Sequence, residues 1–224
     1  MTFSLLGRCD QTGRLGIVIS SSSPAVAARC AHVRPRVGVA ASQNVTDPRL
    51  GPALLDALRR RGGDARAAVD EVVAGHEHAE HRQLVLLGVT GEAAVHAGAA
   101  ALGTHGARVG PGCVAAGNLL AGDEVLDAMI EVFVSSAGED LADRLMAGLR
   151  AAIDAGGEAG PVHSAGLLMT GDVEWPIADL RVDWHDDPVS ELEAAWAVYR
   201  PQLQDYVIRA LDPTAAPGYG VPGE

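Results

Sequence analysis

The sequence predicts an α+β protein in which two stacked antiparallel sheets lie between two helix layers, a four-layer αββα sandwich. Two observations carry this prediction. Strand patterns and pairs of helix patterns follow one another in blocks, in the order strands, two helices, strands, two helices, strands, whereas βαβ proteins alternate single strands with single helices. The 224 residues also show no linker composition, so one domain can bury all of these elements together.

The first block contains three predicted strands. Residues 2–7 alternate polar and apolar side chains, residues 10–13 form a turn signal, and residues 14–20 are rich in β-branched side chains, which together predict a hairpin. A third strand is predicted at residues 37–42, with Gln43 directly after it. The chain would therefore start within a sheet strand, which is a rigid position for its first side chains.

The next elements are justified by caps and turns. A helix is predicted at residues 52–61, where two glycines stop it, and a second helix begins after Asp64 and ends near Ala74. The later predictions follow the same rules: strands at 82–89, 93–97 and 112–116, long helices after Asp123 and Gly138, strands at 164–170 and 178–184, and a helix opening at Pro188. We expect a single domain over residues 1–211 and a Pro/Gly-rich arm over residues 212–224.

Composition narrows the class of protein. The net charge is −12, the pI is near 5.0, and the basic residues are all arginines scattered along the chain, which argues against nucleic acid or an anionic membrane as partner. No signal peptide or membrane-spanning stretch is evident, so the mature chain is expected to begin at residue 1 or 2. Three cysteines without metal spacing fit a reducing compartment, and we expect a soluble cytoplasmic protein.

The start Met1-Thr2 carries the main chemical hypothesis. Removal of Met1 would leave Thr2 with a hydroxyl and a free α-amine, and an amine with a pKa of about 7.7–8.0 can accept the hydroxyl proton near neutrality. Most intracellular chains that begin Met-Thr do no chemistry there, so a catalytic role for Thr2 needs support from the rest of the chain. The chain contains no lysine, which excludes a lysine base or Schiff base and favours the amine of Thr2 as the base for its own hydroxyl.

Two amide side chains are candidates to act with Thr2. Asn118 lies in a turn after a predicted strand and is the first candidate for donating a hydrogen bond to an oxyanion. The alternative is a turn residue whose side chain caps its own backbone, and both readings stay open. Gln43, at the end of a predicted central strand, is expected to line a substrate cleft.

Three charged residues are further substrate-binding candidates. Arg82 opens a strand and could bind a substrate carboxylate, although a structural ion pair is an equal alternative. Asp179 and Arg181 alternate with apolar residues and so share one strand face, where they could orient the catalytic amine. A polar ladder at a sheet edge is the alternative.

Other chemical motifs are excluded on spacing. Three histidines between residues 76 and 81 lie in a predicted loop and lack the i, i+4 spacing of helical zinc motifs, so a solvated polar loop is the better explanation. The serines at 20–23 and at 164 have no Gly-x-Ser-x-Gly elbow, and the glycines near residue 110 match no phosphate loop. We therefore expect neither a metal nor another cofactor.

Ordered sequence blocks over nearly the whole chain resemble a known family. They are Thr2-Phe3-Ser4, residues 38–43, Arg82-Gln83-Leu84, Gly117-Asn118-Leu119-Leu120, Ser164-Ala165 and residues 179–183. On these blocks the chain is identified as a member of the family labelled domain of unknown function 1028, which is assigned to the N-terminal-nucleophile (Ntn) hydrolase superfamily. The resemblance implies an αββα sandwich and hydrolysis of an amide bond by the first residue of the mature chain, which is Thr2 once Met1 is removed.

The sequence-based hypothesis is therefore an Ntn-type amidohydrolase that acts on a small, non-peptide substrate through Thr2, without a cofactor. The competing hypothesis is a non-catalytic protein that keeps the sandwich and binds a small ligand or serves in assembly. An apolar face on the last predicted helix, with Leu192 and Trp196, and the tail that follows it indicate a homo-oligomer, which we expect to be a dimer.

Overall fold

Ten strands and seven α-helices form over residues 1–221, the part of the chain that the computed structural model describes. Residues 222–224, the end of the predicted arm, lie outside the described residues. The strands are β1 Thr2–Arg8, β2 Leu15–Ser21, β3 Ala31–Arg34, β4 Gly38–Asn44, β5 Arg82–Gly88, β6 Ala93–Ala97, β7 Gly106–Gly110, β8 Cys113–Asn118, β9 Ser164–Thr170 and β10 Pro176–Val182. The helices are α1 Val26–Cys30, α2 Leu50–Arg60, α3 Ala65–Ala74, α4 Glu124–Ser135, α5 Leu141–Asp154, α6 Pro188–Tyr199 and α7 Leu203–Leu211.

The strands form two antiparallel sheets that stack face to face. One sheet has six strands in the order β10-β9-β2-β1-β8-β7, and the other has four in the order β3-β4-β5-β6. Helices α4, α5 and α6 pack on the outer face of the larger sheet, and α2 and α3 pack on the outer face of the smaller one. This arrangement is the predicted α+β fold, a four-layer αββα sandwich.

Three apolar clusters fill the three interfaces between these layers. One lies between the larger sheet and α4, α5 and α6, another between the two sheets, and the third between the smaller sheet and α2 and α3. Side chains alternate along a strand, and β1 follows this rule: Phe3 and Leu5 face the helices, whereas Leu6 packs between the sheets. Thr2 therefore shares the inner face with Leu6.

Close helix packing holds β1 in place. A Cβ atom on Gly7 would lie 2.5 Å from the ring of Phe133 in α4, and a Cβ atom on Gly148 in α5 would lie 2.5 Å from Leu5. Glycine at these two positions therefore lets both helices approach the strand closely. Such contacts with two helices along the outer face of β1 give its first residue, Thr2, a rigid support.

The main predicted elements match the structure. The first hairpin is formed by β1 and β2, whose register pairs Phe3 with Ser20, and Asp64 caps α3 by accepting a hydrogen bond from the backbone N–H of Ala67 at 2.8 Å. The last strand pair also forms, but β10 covers Pro176–Val182 instead of residues 178–184. β10 lies at a sheet edge, where proline is tolerated because a missing N–H does not break the ladder.

Several short elements were not predicted. Among them are α1 and β3, which lie between the first hairpin and the predicted third strand, and β7, which precedes β8. α1 has five residues and starts after Ala25 in the left-handed region (φ 52°), and β7 is bounded by glycines. Elements of four or five residues carry too few periodic positions to be recognised from sequence.

The C-terminal segment turns back on α7. Arg209 of α7 donates hydrogen bonds to the carbonyls of Pro217 and Gly218, at 3.0 and 3.1 Å, and its guanidinium carbon lies 3.9 Å from the centre of the Tyr219 ring. Residues 212–221 contain no helix or strand. None of the helices within residues 1–221 is long and apolar enough to cross a bilayer.

Candidate active site at the strand ends

Several polar side chains meet where central strands of the two sheets end. Thr2 is the first residue of β1, and it pairs with Asn118, the last residue of β8. Ser21 ends β2 on the other side of Thr2. In the smaller sheet Gln43 of β4 pairs with Gln83 of β5 at the same end of the sandwich. All five residues are buried.

The Thr2 side chain is in contact with a second hydroxyl and with the carbonyl of Met1. Thr2 is 5% exposed, and its Oγ1 lies 3.3 Å from the Oγ of Ser21. Both hydroxyls donate to the Met1 carbonyl oxygen. The backbone N–H of Ser23 donates to the Ser21 Oγ at 3.0 Å and fixes its position. In the unprocessed chain the nitrogen of Thr2 belongs to a peptide bond, so it cannot act as a base.

A buried carboxylate, Glu158, faces the same region. It was not identified as a site residue from the sequence. Its side chain is enclosed, with the residue 4% exposed, and its oxygens accept the backbone N–H of Ser22 at 3.1 and 3.2 Å. Burial raises the pKa of Glu158 to about 7, although the nearby ammonium group of Met1 and the Ser22 hydrogen bond act in the opposite direction. This carboxyl can therefore gain or lose a proton near neutral pH.

The position of Glu158 is fixed by the turn that follows Asn118. Glu158 forms an antiparallel bridge with Leu120, and the N–H of Ala159 donates to the Leu119 carbonyl at 3.0 Å. Leu119 adopts a positive φ of 53°, which is uncommon for a residue with a Cβ atom. No regular pattern surrounds Glu158 in the sequence, since it follows two glycines after α5, so only the tertiary contact reveals it.

A chain of buried amide groups connects the two sheets behind Thr2. Ser4 donates to the Gln43 Oε1 at 2.9 Å, and the Gln43 Nε2 donates to the Gln83 Oε1 at 2.8 Å. The Gln83 Nε2 then donates to the carbonyls of Gly106 and Gly117, at 3.1 and 3.0 Å. Two carbonyl acceptors fix the orientation of the Gln83 amide, and this orientation fixes the others in turn.

Asn118 is the last member of this chain. Its Nδ2 donates to the Gln83 Oε1 at 3.1 Å, while its buried Oδ1 has no hydrogen-bond partner among residues 1–221. An amide nitrogen carries two hydrogens, and this bond uses one of them. Buried polar atoms without partners are rare and often mark functional sites.

Gln43 and Asn118 are thus brought together with Thr2, but Arg82 faces elsewhere. Arg82 directly precedes Gln83, so its side chain points to the opposite face of β5. There its Nε donates to the His76 Nε2 at 3.2 Å, and it also donates to the Val45 carbonyl. Both groups lie on the outer side of the smaller sheet, away from Thr2, so the structure does not favour Arg82 as a ligand for a substrate held there.

Asp179 and Arg181 are also separate from Thr2. They lie in β10, an edge strand, and β9 and β2 separate this strand from β1. Arg181 forms a bidentate ion pair with Asp179 at 2.6 and 2.7 Å. The structure therefore shows the alternative reading, a polar pair at a sheet edge, because a shared strand face does not specify which strand lies beside it.

The other polar motifs make structural contacts. Ser20 and Ser164 bond to backbone carbonyls, the former to Ser164 at 3.0 Å and the latter to Ser23 at 2.6 Å. His76 lies beside Asp47 (Nε2 to Oδ2, 3.7 Å) in a groove of about 570 Å³ next to α2. Over residues 1–221, no three His, Cys, Asp or Glu side chains are grouped so as to hold a metal ion.

The fold and the site define an αββα protein with a buried polar cluster around the first residue of a central strand. The chain belongs to a family of unknown function, DUF1028, whose model matches residues 2–192. The match covers both sheets and α1 to α5, and it includes Thr2, Asn118 and Glu158. No curated protein matches the chain.

Solved structures extend this comparison. The crystal structure of protein SPO2555 from Silicibacter pomeroyi, a DUF1028 protein, is similar with 29% identity, a TM-score of 0.81 and coverage of 88% of each chain. The Anbu Gly-1 mutant from Hyphomicrobium sp. strain MC1 shows 11% identity and a TM-score of 0.41, over 92% of this chain and 99% of that one. Anbu (ancestral beta-subunit) from Yersinia bercovieri shows 12% identity and a TM-score of 0.40, over 98% of this chain and 100% of that one.

Proposed function

We propose that this protein is an amide hydrolase of the N-terminal-nucleophile type, in which Thr2 is both nucleophile and base after Met1 has been removed. One observation carries the proposal: the Thr2 hydroxyl is held at the rigid start of β1 and contacts the carbonyl of the residue before it. A carbonyl is the group that the nucleophile of an amidase must reach. The hydroxyl of Ser21, from the neighbouring strand, donates to the same carbonyl, so a second hydroxyl beside Thr2 can donate to a carbonyl there.

The proposed reaction uses groups of this chain only. The α-amine of Thr2 accepts the proton of its own hydroxyl while the Oγ1 attacks the substrate carbonyl. The Nδ2 of Asn118 and the hydroxyl of Ser21 are the donors that could stabilise the oxyanion, since each lies beside Thr2 and has a hydrogen available once Met1 is gone. The amine then protonates the leaving nitrogen, and water releases the acyl group from the Oγ1.

The amide chain between the sheets is proposed to hold the donor in place. Gln83 accepts from Asn118 and is itself anchored on two backbone carbonyls. Buried, fully specified hydrogen bonds of this kind restrict side-chain rotation. Asn118 would therefore meet the oxyanion without a large reorganisation, and this is the main requirement for electrostatic stabilisation of a transition state.

Mass spectrometry and two variants of Thr2 test the proposal. We expect the active protein to lack one methionine residue, and we expect a small acyl compound to leave an acyl adduct on Thr2. Thr2→Ala should abolish turnover and the adduct, with a loss on the order of 10⁴-fold or more. Thr2→Ser keeps a hydroxyl and an amine and serves as the matched control. Full activity with Met1 retained, or in Thr2→Ala, would refute the proposal.

A second candidate, a non-catalytic ligand-binding protein, is favoured by the way Met1 is held. Met1 is partly buried, and its carbonyl accepts bonds from two hydroxyls. If these contacts protect Met1 from removal, the Thr2 amine stays masked and the site can only bind. Purified protein with intact Met1 and no acyl adduct with any amide or ester would support this candidate.

A further inference from the structure

Met1 lies in a small site of its own. Its carbonyl is bound by Thr2 and Ser21, and the methyl carbon of its side chain lies 3.6 Å from the position that a Cβ atom on Gly160 would take. The carboxylate of Glu158, two residues before Gly160, accepts the backbone N–H of Ser22, the residue after Ser21. The Met1 carbonyl thus has two hydroxyl donors, its side chain has a contact at Gly160, and its ammonium group has the carboxylate of Glu158 as the nearby group of opposite charge.

The charge of this site matches an amine. Glu158 is 4% exposed, and among residues 1–221 it forms no ion pair within 4.0 Å with an arginine, a histidine or the Met1 ammonium group. A buried carboxylate without a cationic partner is costly, and a cation brought next to it offsets part of that cost. The Met1 ammonium group lies more than 4.0 Å from the carboxylate, but its charge still favours the ionised form of Glu158 and lowers its pKa, against the larger effect of burial.

Met1 also has the covalent position of an acyl group in the proposed reaction. An ester between the Met1 carbonyl carbon and the Thr2 Oγ1 would be the same species as the acyl-enzyme formed from a methionyl amide. The atoms that surround Met1 in the unprocessed chain are therefore the atoms that would surround the acyl part of such a substrate.

We propose that the Met1 site is the acyl subsite of the processed enzyme, and that its substrates are amides or esters of α-amino acids with a free α-amine and an unbranched apolar side chain. Glu158 binds the ammonium group of the substrate, and Gly160 leaves room for the side chain. This inference rests on the proposed function, since it names the substrate class of the same site.

The reaction balances with water as the second reactant. The Thr2 Oγ1 forms a bond to the aminoacyl carbon, its proton passes to the Thr2 amine, and the bond from that carbon to the leaving nitrogen or oxygen breaks as the leaving group takes this proton. Water then attacks the ester and gives one proton to the Thr2 amine. The ester bond breaks, the Oγ1 regains a proton, and a free amino acid leaves.

Three methionyl compounds with one chromogenic amine test the inference on the Met1-free protein. One has a free α-amine, the second is N-acetylated, and in the third hydrogen replaces the amine. We expect the first to be cleaved with a kcat/KM about 10- to 100-fold above that of the other two, the range typical of a charge-assisted hydrogen bond. Equal rates for all three would overturn the inference but leave the amidase proposal standing.

Glu158→Gln connects this preference to the carboxylate. The variant keeps the size of the side chain and should reduce the preference for the free amine to a few-fold, mainly through KM, while the N-acetyl compound is cleaved as before. Glu139→Gln, at an exposed position before α5, is the matched control and should keep the full preference. An unchanged preference in Glu158→Gln would overturn the role of Glu158.

Gly160→Val tests the side-chain boundary and does not depend on Glu158→Gln being folded. The added branch would meet the end of a methionine-length side chain, so cleavage of the methionyl amide should fall relative to that of the alanyl amide. An unchanged ratio would overturn this boundary. If the Met1-free protein cleaves none of the compounds and forms no acyl adduct with any of them, both the inference and the proposed function fail.

Discussion

The inner end of β1 and the outer edge strand β10 both carry polar side chains, but they use them differently. At the end of β1 the polar groups are buried and one of them, the Oδ1 of Asn118, has no partner within residues 1–221. On β10 the charges of Asp179 and Arg181 neutralise each other at the surface. A buried group that lacks a partner can bind a ligand strongly, whereas an exposed pair that is already satisfied contributes little.

This contrast predicts where substitutions should have large effects. In the low dielectric of the interior, the interaction free energy of a buried polar group changes by several kcal/mol when its partner is removed. Exposed ion pairs are screened by water and salt. We therefore expect substitutions at the β1 end to have larger effects on turnover and stability than substitutions in the exposed ion pair of β10.

Asn118→Ala should give the largest loss after Thr2→Ala. If the Nδ2 of Asn118 stabilises the oxyanion, its removal should lower kcat by about 10²- to 10³-fold with little change in KM, because the bond forms in the transition state. Single-turnover kinetics of acyl transfer to Thr2 measures this loss directly. A drop of less than about threefold would mean that Asn118 has only a structural role through its bond to Gln83 and that backbone amides bind the oxyanion.

Gln83→Leu should destabilise the fold more than loss of the Asp179–Arg181 ion pair on β10. It removes the acceptor for Gln43 and Asn118 and leaves two backbone carbonyls without donors, so we expect a loss of about 2–5 kcal/mol in the free energy of unfolding. Urea unfolding measures it. Gln204→Leu in α7, a solvent-facing glutamine, is the matched control and should change stability by less than about 0.5 kcal/mol.

Glu158 predicts a pH dependence of opposite sign to that of a salt-bridged acid. Its pKa is raised from the ordinary value of 4.5 to about 7, so the folded chain holds a proton that the unfolded chain releases. The stability from this group is complete below pH 4.5 and falls as the pH rises to about 7, by up to about 3 kcal/mol.

Glu158→Gln should remove this dependence. Compared with the unmodified chain, the variant should have a free energy of unfolding that becomes increasingly large as the pH rises from 5 to 8. Glu139→Gln should show no such difference. Urea unfolding at the two pH values measures the difference, in which contributions from other titrating groups cancel. A loss of stability in Glu158→Gln at pH 8 would mean that the carboxylate has a cationic partner in the folded chain.

Local signals explain which parts of the fold could be predicted. The first hairpin has a turn between two β-rich runs, and α3 has Asp64 as its cap, so each is specified by neighbouring residues. The short α1 and β7 have no comparable signal, and their conformation depends on packing between layers. Residues at strand ends were predictable for the same local reason, because Asn118 follows an apolar run.

Only part of the site could be predicted, because the sequence does not show which face of a strand meets the other sheet. Arg82 was chosen in β5, but the adjacent Gln83 points between the sheets and contacts Asn118. The alternation of side chains shows that the two residues face opposite ways, without indicating which face meets the other sheet. Glu158 had no signal at all, since its role follows from a tertiary contact with Ser22.

Arg181→Ala, on the exposed strand β10, should have the smallest effect on stability and turnover. The ion pair with Asp179 lies at an edge strand with both side chains more than one third exposed, so its loss should change the free energy of unfolding by about 0–1 kcal/mol and turnover by less than twofold. Increasing salt should reduce even this effect, since water and ions already screen the pair. A loss of turnover near that of Asn118→Ala, at unchanged stability, would place β10 within the active site and contradict the separation of the two regions by β9 and β2.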